Sequence, residues 1–131
     1  MSISSVIETM GSIVELALEV RTHGESAVLV CKGRLTDMFS KYLLCEAVEE
    51  LLDKHQNVVL DLRRLEKMDA AALGTIAACI RCAVDHRTTL RCFGVSRQVR
   101  QLLDVTRLSS FLKFYSTEQE AVTAAANACA A

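Results

Sequence analysis

The chain has 131 residues, 51% of them hydrophobic and 24% charged, which suits one globular domain and excludes a disordered or fibrous chain. With 15 Lys and Arg against 16 Asp and Glu the net charge is -1, so no global basic field exists to hold nucleic acid or anionic lipid. The longest nearly apolar stretch, 70–80, is far below the roughly 20 residues that span a bilayer, and no membrane insertion is expected.

Residues 1–12 lack periodicity and read as an N-terminal arm, followed by a domain over 13–125 and an Ala-rich tail over 126–131. Glu8 and Glu15 interrupt any secretory apolar core, so a cytoplasmic location is expected and the six cysteines read as reduced thiols. Val14, Leu16, Leu18 and Val20 alternate with Glu15, Ala17 and Glu19, the period-two pattern of a half-buried strand. A turn at 22–25, with Gly24 free to take positive φ, then joins it to a doubly buried strand at Ala27–Cys31.

Gly33-Arg34-Leu35-Thr36-Asp37 breaks the pattern. Phe39, Leu43, Ala47, Val48, Leu51 and Leu52 then recur at helical spacing, with acids between them, and predict an amphipathic helix with Phe39 on its buried face. Val58–Leu62 reads as a central strand, completing a βαβ crossover in which Asp61 closes the strand. Asp69 is placed to cap a helix that starts at Ala70 and runs to about residue 85, burying Leu73, Ile76, Ala77, Ile80 and Val84. A strand at Thr88–Gly94, a short helix capped by Ser96, a strand at Leu112–Tyr115 and a last helix opening at 116–120 complete the pattern. The tail beyond Val122 is expected to fray. The order β β α β α β α β α predicts an α/β fold, a mixed five-stranded sheet with about four helices packed against it.

Four motifs in order narrow this further: Gly33-Arg34-Leu35, Leu60-Asp61-Leu62, Met68-Asp69-Ala70-Ala71-Ala72-Leu73-Gly74, and Val105-Thr106-Arg107-Leu108. Together they resemble the STAS family of anti-sigma-factor antagonists over about residues 14–125. The resemblance implies a non-enzymatic interaction module, in a bacterial setting, that binds a kinase-type anti-sigma factor or a related regulator. In the family the second Ser after the motif Asp is phosphorylated by that partner, and the partner is then released. Ala71 is the equivalent position here, Ala70 replaces the first Ser and Ala72 the Gly, so the phosphoacceptor hydroxyl is missing.

The physics of the position agrees with such a switch. A first helical turn presents unpaired N–H groups and the positive dipole end, and a phosphate there would add about -1.5 to -2 charge to any docked surface. Alanine removes the switch while keeping helix propensity. Thr36, Asp37, Asp69, Ala70, Ala71, Ala72 and Ser96 are therefore the candidate partner-binding residues, with Thr75 the nearby hydroxyl for any substitute phosphorylation. The alternative is a scaffold or accessory subunit of a stress-sensing assembly or a lipid-transport ATPase complex.

Other constellations carry less. Cys79-Ile80-Arg81-Cys82 lies too far inside its helix for a redox pair and lacks a second pair for zinc, so the cysteines read as packing residues. No nucleophile, acid-base pair or Gly-rich phosphate loop suggests catalysis, a cofactor or a metal. An exposed edge strand at Leu112–Tyr115, or the N-terminal arm, would be the route to a homodimer.

Overall fold

The computed structural model describes residues 15–130, and the N-terminal arm lies outside the described residues. Five strands form one sheet in the order β1-β2-β3-β4-β5: Leu16–His23, Ser26–Leu35, Asn57–Met68, Leu90–Phe93 and Leu112–Tyr115. Strands β1 and β2 are antiparallel and every other pair is parallel. The helices are α1 (Met38–Lys54), α2 (Ala72–Asp85), α3 (Arg97–Val105) and α4 (Glu118–Ala130). This is the mixed five-stranded α/β architecture expected.

Gly24 takes φ +60 at the first central position of the β1–β2 turn, a conformation that matches strand twist and that glycine adopts without strain. Alternation along β2 and β3 divides their side chains between two cores. Ala27, Leu29, Cys31, Val58, Leu60 and Leu62 face α1, α2 and α3 in the larger core. Val28, Val30, Val59 and Phe93 face Ala121 and Ala125 of α4 in the smaller one. That contact explains why the last helix runs past Val122, where fraying was expected: small residues on one face let it lie close to the sheet.

The strands are longer than the apolar runs suggest. Strand β2 continues through Gly33 to Leu35 by shifting register at two irregularities, and β3 continues with it to Met68. Since β4 pairs with β3 at Val59–Asp61, the last part of β3 has β2 as its ladder partner and carries Arg63, Arg64, Glu66 and Lys67 into solvent. Asp61 is therefore a mid-strand residue, not the end of one.

Asp61 is 2% exposed and accepts from Arg63 N, Nε and Nη2 at 3.2, 3.0 and 2.8 Å, and from Arg21 Nη2 at 3.4 Å. Glu118 of α4 bonds to the same Arg21, and His23 lies 3.0 Å from its second oxygen, so the network joins β1, β3 and α4. Burial alone would raise the Asp61 pKa, but the Arg63 bonds and the Arg63 and Arg21 charges outweigh it and hold it below the ordinary aspartate value. A depressed carboxylate stabilises the fold above its unfolded pKa, and that contribution is lost as pH falls through the folded value. We expect Asp61→Ala to cost about 2 kcal/mol at neutral pH in denaturant melts, because a buried acceptor of charged hydrogen bonds is lost while both arginines stay half in water. The difference between variant and parent should shrink as pH is lowered below the usual aspartate range.

Candidate docking site

The parallel strands β2 and β3 end side by side, Leu35 opposite Met68. The segments that follow them, Thr36-Asp37 and Asp69–Ala71, are therefore neighbours. Asp37 caps α1: its Oδ1 accepts from Ser40 N at 2.8 Å, and its Oδ2 accepts from Ser40 Oγ at 2.5 Å and from Glu15 N at 3.4 Å. Burial pushes the Asp37 pKa up, but the Ser40 side-chain and backbone bonds and the Glu15 N–H outweigh it and hold the group low. Thr36 donates through Oγ1 to Glu15 Oε2 at 2.9 Å, tying the β1 start to the same corner.

Asp69 caps α2 as expected, although regular helix begins at Ala72 and Ala70–Ala71 form a tight turn before it. Its Oδ1 accepts from Ala72 N at 2.8 Å and its Oδ2 from Lys41 Nζ at 3.1 Å. The Ala72 N–H, and then Lys41, hold the Asp69 pKa below the ordinary aspartate value. Lys41 is thus a clamp between α1 and the turn, a residue the sequence reading did not single out.

Ala70 and Ala71 are exposed, whereas Ala72 is fully buried in the larger core. Ala72 cannot present its side chain to a partner; it seats the turn on the sheet. Ser96 stands after β4, where its Oγ accepts from Val99 N at 3.2 Å and caps α3. Gly94 packs against Arg63, so along β3 the Asp69 turn stands roughly 20 Å further on. The structure joins Thr36, Asp37, Asp69, Ala70 and Ala71 in one corner, with Ser96 belonging to the α3 start.

The same corner carries an apolar surface. Met38, Phe39 and Tyr42 are 85%, 55% and 58% exposed on the first turns of α1. Phe39 is thus not the core residue its spacing suggested. At 100° per residue, Met38, Tyr42 and Phe39 span about 100° on the side opposite the buried stripe of Leu43, Leu44, Ala47, Val48 and Leu51. Phe39 lies one four-residue step, about 40°, from Leu43, and that step carries it outside the buried stripe. Val84, expected on the buried face of α2, is 62% exposed for the same reason, since the stripe runs through Ala72, Ile76, Cys79, Ile80 and Ala83.

The thiols sit mainly in packing positions. Burial raises Cys31 and Cys92 to about 12. Cys45, where α1 meets α2, is lowered to about 7, first by its hydrogen bond with Cys79. Among the described residues no cluster of three or more His, Cys, Asp or Glu could hold a metal ion. No helix among them is long and apolar enough to cross a membrane.

The mixed sheet, with the β3–α2 turn at one corner, has counterparts among known proteins. The sequence matches the STAS domain over residues 10–121, and the chain belongs to that family. Its fold is shared with an anti-sigma factor antagonist from Mycobacterium paratuberculosis, at 22% identity and TM-score 0.72 over 84% of this chain and 93% of that one. An anti-sigma-factor antagonist (STAS) domain protein from Planctomyces limnophilus superposes with TM-score 0.70 at 18% identity, over 83% and 97% of the two chains. The Bacillus cell fate determinant SpoIIAA in its phosphorylated form gives TM-score 0.65 at 17% identity, over 82% and 97%. No curated protein sequence matches the chain.

Proposed function

We propose that the chain is a non-enzymatic regulatory module, acting in a bacterial cytoplasm, that docks a kinase-type anti-sigma factor or related regulatory protein on the corner formed by Thr36, Asp37, Asp69, Ala70 and Ala71. The observation that carries this reading is the junction of an exposed, side-chain-poor turn with the exposed Met38, Phe39 and Tyr42. Two alanines let a partner backbone approach the start of α2 closely, and the three large side chains supply apolar area beside it. The Lys41–Asp69 pair holds the two halves in fixed relation, so little ordering is needed on binding.

Ala71 stands where family members carry the phosphoacceptor, and here it makes the docking constitutive. A permanently held partner also suits the second reading, a scaffold or accessory subunit, which the missing hydroxyl at this one position favours. The two separate in one experiment. With the partner captured from source cells and ATP added, Ala71→Ser should acquire phosphate at position 71 and release the partner if the partner is a regulatory kinase. An unmodified variant that stays bound would set the kinase reading aside in favour of the scaffold.

A further inference from the structure

At the opposite end of β3 from the docking corner, where β3 and β4 begin, lies a cavity of about 380 Å³ lined by Gln56, Asn57, His86, Arg87, Thr89 and Arg91, among others. Its floor is unusual. Arg91 is 5% exposed, yet its partners among the described residues are neutral: Nη1 donates to Asn57 Oδ1 at 2.9 Å and to the Thr89 carbonyl at 3.2 Å, and Nε has no partner among them. A guanidinium is always charged, so a buried one held by neutral acceptors, with an unmet donor, calls for an anion.

The rim adds to the same charge. Arg87 follows α2 with φ +59, at the position after a helix where glycine is favoured, and it borders the cavity. His86 also lines it, with Nε2 engaged by Asp53 at 2.8 Å, so that neighbouring acid is already taken. None of the described lining residues is acidic. The C-terminal half of α4 comes close through the Ala125 carbonyl, which accepts from Asn57 Nδ2 at 3.4 Å and holds that amide in place under Arg91.

We propose that this cavity binds a phosphate group, carried by a small hydroxylated phosphomonoester. Two guanidinia match the charge and oxygen spacing of a phosphate dianion better than those of a single carboxylate. The space exceeds what free phosphate fills, and its lining of amides and hydroxyls suits a polyol rather than a nucleobase, which would need an apolar or aromatic wall. This site is independent of the docking corner and stands whether or not that reading holds.

Calorimetry on the full chain tests it, with inorganic phosphate, glycerol 3-phosphate and acetate as probes and chloride at matched ionic strength as control. Saturable one-site binding of glycerol 3-phosphate, tighter than inorganic phosphate and with no acetate binding, is the expected result. Arg91→Gln should weaken it by an order of magnitude or more, and Arg87→Ala severalfold. An Arg91 Nε–H resonance that shifts on titration with glycerol 3-phosphate supplies a readout that does not depend on any variant folding. Absence of saturable binding, a preference for acetate, a stationary Nε–H resonance, or unchanged affinity in Arg87→Ala would each overturn the proposal.

Discussion

Gly33→Ala is expected to lower stability by about 3 kcal/mol or more, the largest loss we expect from adding a single methyl group to this protein. Gly33 lies at φ +110, a backbone region closed to residues with a Cβ, and an added Cβ would stand 2.2 Å from the Glu15 carbonyl oxygen. That oxygen is held in place because it accepts from Arg34 N at 3.0 Å. Relief would therefore require β1 to lift away from the β2 irregularity, and the Thr36 and Asp37 bonds to Glu15 would go with it. Chemical denaturation should show a lower midpoint with an unchanged slope, and an unchanged midpoint would mean that the bulge is soft. Gly24, with open space around its Cβ position, is the contrasting site, where alanine meets backbone strain alone.

The second large effect is on binding and leaves the fold alone. Phe39→Ala and Tyr42→Ala remove side chains that are more than half exposed, so stability should stay within about 0.5 kcal/mol of the parent. Truncating aromatic residues at the centre of an interface commonly costs about 2 kcal/mol or more, close to thirtyfold or more in affinity. Each variant should therefore fold normally and lose the captured partner. Retention of the partner by both would place the interface elsewhere on the domain. Val84→Ala, equally exposed but on α2 away from the turn, is the control expected to bind as the parent does.

The β1–β2 hairpin, the central β3, the cap at Asp69 and the order of elements were legible because each rests on local chemistry: alternation, a positive-φ glycine, a carboxylate one turn ahead of a free N–H. What was not legible depends on partners distant in the chain. Strand β3 reaches Met68 because β2 accompanies it, and Arg63, Arg64, Glu66 and Lys67 look like a loop until that pairing is known. Residues beyond Val122 look like a fraying tail until Ala121 and Ala125 are seen against Val28, Val59 and Phe93. Within the proposed docking corner, Asp37, Asp69 and Ala71 could be found from motif and capping rules. Lys41 could not, since its role exists through Asp69, 28 positions away. Arg91 was hidden more deeply: in sequence it is one of the scattered bases of the second half, and its burial follows from the face of β4 that α4 covers.

If the turn before α2 is a partner-binding surface whose covalent control has been removed, a quantitative pull-down from source-cell lysate will show it. Parent and Ala71→Glu proteins are compared by mass spectrometry, with circular dichroism confirming that both are folded. Ala71 is exposed at the positive end of α2, so glutamate there is tolerated by the fold while it puts charge onto the docking surface. A partner surface at this turn requires that a signalling protein captured by the parent be lost from the variant. The same partners recovered in the same amounts with both proteins would contradict it.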